Sequence, residues 1–346
     1  MHPEPGHAPE YAPEYAPGHA PEPWPNVTLH VVTGKGGTGK TTVAAALAIA
    51  LATDGHRVLL MEVEGRQGIA QLFDVPPLPY EERRVAVAPG NGEVWALAVD
   101  TEDALLDYLE MFYRMRRAGS ALSKMGAIDF ATTIAPGLRD VLLTGKAVEV
   151  VKRKEKNAKN AYDYVVMDAP PTGRITRFLN VNSEVSGLAK VGPIKNHADS
   201  VMNVIASDQT AIHLVTLLEE MPVQETIDGI GDLRANKLPV GGIFVNLMRP
   251  PRLDEAQRGA ALEHNLDTDQ IAASLALVGI DTPRLVAVLE REAEDHSRRV
   301  ELEQRELARL SDLNLPMVTL PLIASGIDLS TLYELARVMR DAGVTL

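Results

Sequence analysis

The apolar residues of this chain fall into short runs separated by longer amphipathic stretches. Val27–Val32, Arg57–Val63, Val94–Val99, Tyr162–Met167, Ala211–Leu218, Val240–Val245 and Pro316–Leu322 are nearly continuous in apolar side chains. Each is short for a helix and suits a strand buried on both faces. Between the first two lies Val43–Ala52, Pro-free and rich in Ala, which predicts a helix from Lys40 to about Asp54 with Gly55 closing it. Thr101 followed by acids reads as a helix start, and Leu105, Leu109, Phe112 and either Met115 or Arg116 line one face of that helix. Glu219 opens a further helix with Pro222 in its first turn. Arg284–Leu310 is charged with Leu and Val at helical spacing, and a last helix runs from Ser330 to about Ala342. About seven strands alternating with helices predict an α/β fold, a doubly wound and mostly parallel sheet.

The flanking and inserted segments read differently. Residues 1–25 repeat a Pro-Glu-Tyr-Ala unit without large aliphatic side chains, so burial cannot offset chain entropy. They predict a disordered tail leaning to polyproline II ahead of one domain, residues 26–346. His2, His7 and His19 read as solvated tail histidines. A helical insert is expected at about 101–160 and 180–206, with Gly192-Pro193 marking a break. Within it the Met- and Gly-bearing stretch Ala118–Ala135 is either core or a groove that adapts to apolar clients. The basic run from Lys152 reads as a solvated helix face, and His213 as a core histidine rather than a ligand.

The candidate chemistry starts at Gly34-Lys35-Gly36-Gly37-Thr38-Gly39-Lys40-Thr41-Thr42, which fits G-x-x-x-x-G-K-[ST] without mismatch. An apolar run leads in and a helical run leads out, the context this motif requires. Glycines let successive N–H groups point inward as an anion cradle, and the helix adds its positive end. Lys40 would reach the β- and γ-phosphates of ATP, and Thr41 would ligate Mg²⁺. The run Tyr162–Met167 ends in Asp168, a Walker B arrangement whose acid would accept from Thr41 or from Mg²⁺-bound water. The strand from Arg57 ends in Glu62-x-Glu64, placing carboxylates at a strand tip beside the P-loop, where ligand crevices form.

Lys35 after the first glycine makes the loop the deviant form. The chain resembles the dimeric nucleotide switches that include nitrogenase iron protein, MinD and ParA ATPases, the arsenite-pump ATPase and the guided-entry factor for tail-anchored proteins. Ile134-Ala-Pro-Gly and Asp168-Ala-Pro-Pro-Thr-Gly173 narrow the resemblance to the arsenite-pump and guided-entry branch, of actinobacterial type. That resemblance implies an ATPase acting as a homodimer or as a heterodimer with a paralogous ATPase, with Lys35 crossing to the partner's nucleotide. It further implies that Glu64 in switch I orients the attacking water and that Gly173 in switch II donates its N–H to the γ-phosphate. Asn246 would read the adenine edge, and Pro321 and Leu322 would pack against adenine. The sequence departs from the family where Glu64-Gly65 replaces Asp-Pro and where Arg174 replaces His. One extra methylene shifts a carboxylate by about an ångström, enough to cost about 10²-fold in rate if uncompensated. Glu64 could instead hold Arg66 or cap the next helix.

Composition adjusts this picture at three points. A net charge of −13 over 346 residues disfavours nucleic acid as a partner and with it a ParA-like partition role. The absence of cysteine excludes disulfides, thiolate catalysis and thiolate capture of arsenite. No apolar run reaches membrane-spanning length and no signal peptide is evident, so a cytoplasmic protein is expected. Three functions stay open: delivery of an apolar membrane-protein segment or engagement of a membrane partner, the energising subunit of an anion transporter, and a nucleotide-gated binding module with little hydrolysis.

Overall fold

The computed structural model describes residues 24–113, 138–154, 160–180, 193–280 and 283–344. The centre is an eight-stranded sheet in the order β3-β4-β2-β5-β1-β6-β7-β8. Its strands are β1 (Leu29–Gly34), β2 (Arg57–Glu62), β3 (Arg83–Ala88), β4 (Gly92–Ala98), β5 (Tyr164–Asp168), β6 (Thr210–Thr216), β7 (Val240–Met248) and β8 (Met317–Pro321). All pairings are parallel except β3 with β4. The α/β, doubly wound, mostly parallel architecture expected from the apolar runs is therefore present.

The edge strand β3 has no counterpart among those runs. Its burial alternates between exposed and buried, because one face meets solvent. Such a strand leaves no continuous apolar run to find, and it pairs antiparallel through the short turn at Pro89–Asn91.

Two apolar layers sandwich the sheet. On one face Val32, Leu60, Val166 and Phe244 pack with α1 (Lys40–Ala52) and with α11 (Leu329–Asp341), the last helix. All of α1 but its Thr41-Thr42 pair is buried, which explains why it is Ala-rich: small side chains let a helix lie close to a sheet. On the other face Leu29, Val31, Leu59, Met61 and Met167 meet the helices that come after the remaining strands. These are α4 (Leu138–Lys152), α5 (Thr172–Leu179), α6 (Pro193–Ile205) and α7 (Glu220–Ala235).

Of the stretches expected to form a helical insert, the described residues hold α3 (Thr101–Tyr113), α4 and α6. The proposed client stretch 118–135, the Ile134-Ala-Pro-Gly motif and the tail's residues 1–23 lie outside the described residues. Residues 250–280 contain α8 (Glu255–Leu262) and α9 (Thr268–Leu277). Both rest on α10, the long charged helix Pro283–Ser311. Among the described residues no helix is long and apolar enough to cross a membrane.

Candidate nucleotide site

The order of strands reverses around β1, whose neighbours β5 and β6 lead away in opposite directions. In open parallel sheets the crevice at the carboxyl ends of strands flanking such a point binds ligands. The P-loop, residues 34–41, sits there between β1 and α1.

Its shape is set by contacts from other strands. A Cβ at Gly34 would overlap the carbonyl oxygen of Val215 on β6. Gly39 has φ of 87° and caps α1, and a Cβ there would overlap the Asn246 amide. Only glycine meets both conditions at that position. Asn246 Nδ2 donates to the Thr38 carbonyl oxygen at 2.9 Å, and Thr38 Oγ1 donates to the Lys35 carbonyl oxygen at 2.8 Å. At Gly36 and Gly37 a Cβ would meet open space.

The charged centre lies below the loop. Thr41 Oγ1 donates to Asp168 Oδ2 at 2.7 Å, joining positions 127 residues apart in the chain. The neighbouring backbone fixes this junction: Ala169 N–H donates to the Val32 carbonyl oxygen at 2.9 Å, and Thr33 Oγ1 to the Pro170 carbonyl oxygen at 2.7 Å. Burial pushes the Asp168 carboxyl up to about 6, with the Glu62 and Glu64 charges adding to the rise and the Thr41 hydroxyl and Lys40 opposing it. Lys40 is 8% exposed, and burial lowers its ammonium below the ordinary range while Asp168 and Glu64 oppose that shift. Asp168 Oδ1 is buried with no hydrogen-bond partner. A buried carboxylate with one vacant oxygen beside a hydroxyl is a hard-oxygen donor set that fits Mg²⁺.

Glu62 is the residue that sequence reasoning passes over in favour of Glu64. It is 2% exposed and pairs in register with Asp168 across β2 and β5. Its Oε2 accepts from the Ile69 N–H at 3.1 Å, in the first turn of α2 (Gly68–Leu72), and Oε1 has no partner. The available signal is its position: a charge directly after the apolar run Val58–Met61, at the last residue of β2. Glu64, two residues on, lies 3.5 Å from an Arg66 guanidinium nitrogen and 3.7 Å from one of Arg174. So Glu64 does hold Arg66, whereas contact with the next helix falls to Glu62.

The remaining expected site residues are spread around this centre. Gly173 is in the first turn of α5, where no side chain caps the helix and a Cβ would meet open space. Lys35 Nζ lies 3.9 Å from Glu225 on α7, and both side chains are one-third exposed. Pro321 ends β8 beside Met248, and the Leu322 N–H donates to the Met248 carbonyl oxygen at 2.8 Å. Both thus meet the carboxyl end of β7 at Met248, two residues beyond Asn246.

A parallel sheet with a deviant P-loop at its switch point, and a Walker B aspartate hydrogen-bonded to the loop's threonine, defines a P-loop nucleotide hydrolase. The chain belongs to the anion-transporting ATPase family, whose model matches residues 27–207, and it is an ATPase. It is 51% identical to ATPase BagA of Mycobacterium tuberculosis over 326 residues, 93% of this chain and 96% of that protein. It is 26% identical to ATPase GET3 of Kluyveromyces lactis over 258 residues, 65% of this chain and 73% of the relative. A protein of Aquifex aeolicus with the provisional name arsenical pump-driving ATPase 2 is 22% identical over 246 residues, 63% of this chain and 79% of its own length.

Proposed function

We propose that the protein is a Mg²⁺-dependent switch ATPase that hydrolyses ATP to ADP and phosphate and couples the cycle to an apolar client or a membrane partner. The observation that carries this reading is the Thr41–Asp168 hydrogen bond at the base of an open glycine loop. Thr41 and Asp168 would hold Mg²⁺, which when bound offsets negative charge on the phosphates. The P-loop N–H groups and Lys40 bind the triphosphate, and Glu64 orients the water for in-line attack on the γ-phosphoryl. The Gly173 N–H meets the γ-phosphate and lets α5 sense it. Asn246, Pro321 and Leu322 bound the adenine side.

Lys35 acts in a dimer. Its ion pair with Glu225 is long and partly exposed, weak enough for the lysine to exchange it for a partner's phosphate. The partner is a second copy or a paralogous ATPase. An apolar client fits the exposed Leu277, Val278, Ile280, Val288 and Leu289 at the junction of α9 and α10. A cytoplasmic location fits this role, and nucleic acid is not a partner. The name of the Aquifex relative favours a second reading, in which the same cycle energises an anion transporter.

Steady-state turnover with sedimentation of the ATP-bound protein tests the proposal. Lys40→Ala should abolish turnover, and Lys35→Ala should slow it and leave the ATP-bound protein monomeric. A Lys35→Ala variant that dimerises and turns over normally removes the crossed-lysine reading.

A further inference from the structure

Glu64 is held from two directions. Its Oε2 lies 3.5 Å from Arg66 and its Oε1 lies 3.7 Å from Arg174, so each carboxylate oxygen faces a separate guanidinium. The carboxylate is the inner member of the cluster. Its side chain is 17% exposed against 71% for Arg66 and 60% for Arg174, so the cations cover it from the solvent side. Both Lys40 and Asp168 feel its charge, so it lies within electrostatic reach of the P-loop lysine and the acid at the end of β5.

The two contacts are not equivalent. Arg66 is two residues from Glu64 on the same loop and moves with it wherever that loop goes. Arg174 arrives from the first turn of α5, directly after Gly173, and its N–H donates to the Pro171 carbonyl oxygen at 2.8 Å. Its distance to Glu64 therefore depends on how the loop after β2 and the loop after β5 sit relative to each other. Glutamate has one more rotatable bond than aspartate and loses more freedom when placed. A cation on the opposite loop restricts that freedom only when the two loops are in register.

We propose that Arg174 is a positioning residue for hydrolysis: it holds Glu64 Oε1 so that the longer carboxylate presents itself to the attacking water, tying switch I to switch II. This rests on the reading of Glu64 as the water-orienting group. In this role Arg174 acts through Glu64 and not on the phosphates.

The test is a kinetic cycle of Arg174→Ala, Arg174→Lys, Glu64→Gln and the Glu64→Gln/Arg174→Ala double variant in the full chain, with thermal midpoints recorded. Arg174→Ala should lower kcat roughly 10- to 100-fold, the scale of an ångström-sized misplacement, with KM for ATP changed by less than about twofold. Arg174→Lys should recover part of kcat. In the Glu64→Gln background Arg174→Ala should have no further effect, because the group it positions is gone. Multiplicative loss in the double variant would overturn the proposal, since Arg174 would then act independently of Glu64. Unchanged kcat in Arg174→Ala, with Glu64→Gln slow, would overturn it and leave the Glu64 reading standing. Wild-type turnover in Glu64→Gln would remove both. Should Arg174→Ala fail to fold, Arg174→Gln keeps the side-chain length and carries the same test.

Discussion

The amide of Asn246, at the carboxyl end of β7, donates to the carbonyl oxygen of Thr38 across 2.9 Å and 208 residues of chain. This bond pins the P-loop to a strand two places from the one that leads into it, and it explains why position 39 has no room for a side chain. It uses one of the two amide hydrogens of Asn246; in the function proposed above, the carbonyl and the second hydrogen would meet the base edge.

Asn246→Ala should leave the buried Thr38 carbonyl unsatisfied, a loss of about 1–3 kcal/mol in loop order. Asn246→Asp should be worse, because a carboxylate faces the same carbonyl and accepts without donating. Titration calorimetry with a non-hydrolysable ATP analogue should rank affinities as wild type, then Ala, then Asp.

Asp168→Asn keeps an acceptor for the Thr41 hydroxyl and removes the charge. Turnover should fall by at least about 10²-fold, the scale of losing one preorganised electrostatic group. Affinity for ATP without Mg²⁺ should be little changed, while stabilisation by Mg²⁺ in a thermal shift assay should be lost. Stabilisation equal to wild type would place the metal elsewhere.

Gly173→Ala separates folding from chemistry. A Cβ there meets no neighbour, so stability should stay within about 0.5 kcal/mol of wild type. Turnover should fall, because the methyl group enters the space where the γ-phosphate would approach the α5 N-terminus. Unaltered turnover would exclude Gly173 from phosphate contact.

Acid sensitivity should originate in a buried histidine pair. His30 on β1 and His213 on β6 are fully buried, stacked with centroids 5.3 Å apart, and share one hydrogen bond of 3.0 Å between Nδ1 and Nε2. The outer nitrogens of both rings lack partners, and Trp24 covers the pair edge-on. Burial lowers His30 from 6.5 to about 3, and lowers His213 well below its ordinary value with the His30 charge adding. As pH falls below 6.5 the unfolded chain binds these protons first, so the pair's contribution to stability declines from there toward about 3 and is constant above, while Asp168, raised to about 6, acts with the opposite sign. His30 contributes a slope of about 1.4 kcal/mol per pH unit inside that window, and His213 shifts stability in the same direction. Denaturant midpoints between pH 7 and pH 4 should show this fall, and a His30→Leu/His213→Leu variant should flatten it.

Much of the nucleotide site is legible in the sequence because its signals are local. Gly34 to Thr41 carry their meaning in spacing, and Asp168 ends an apolar run. His213 reads as a core histidine from its strand. It is one, but its partner is a second histidine and one nitrogen stays unpaired, which its own strand does not reveal. The β3 strand escapes such a reading because a half-solvated edge strand leaves no continuous apolar run.

The sequence by itself determined the class of fold, the glycine-rich loop after β1 and the acid beside it, since strand length, apolar continuity and glycine spacing act within a few residues. The tertiary structure alone decided which side chains meet. Only the pairing of β2 with β5 buries Glu62 beside Asp168, and only α5 brings Arg174 to Glu64. Only the adjacency of β1 and β6 sets His30 on His213. The reason is physical: a hydrogen bond or ion pair requires a few ångströms in space, and chain separation does not encode that distance until the sheet order is formed.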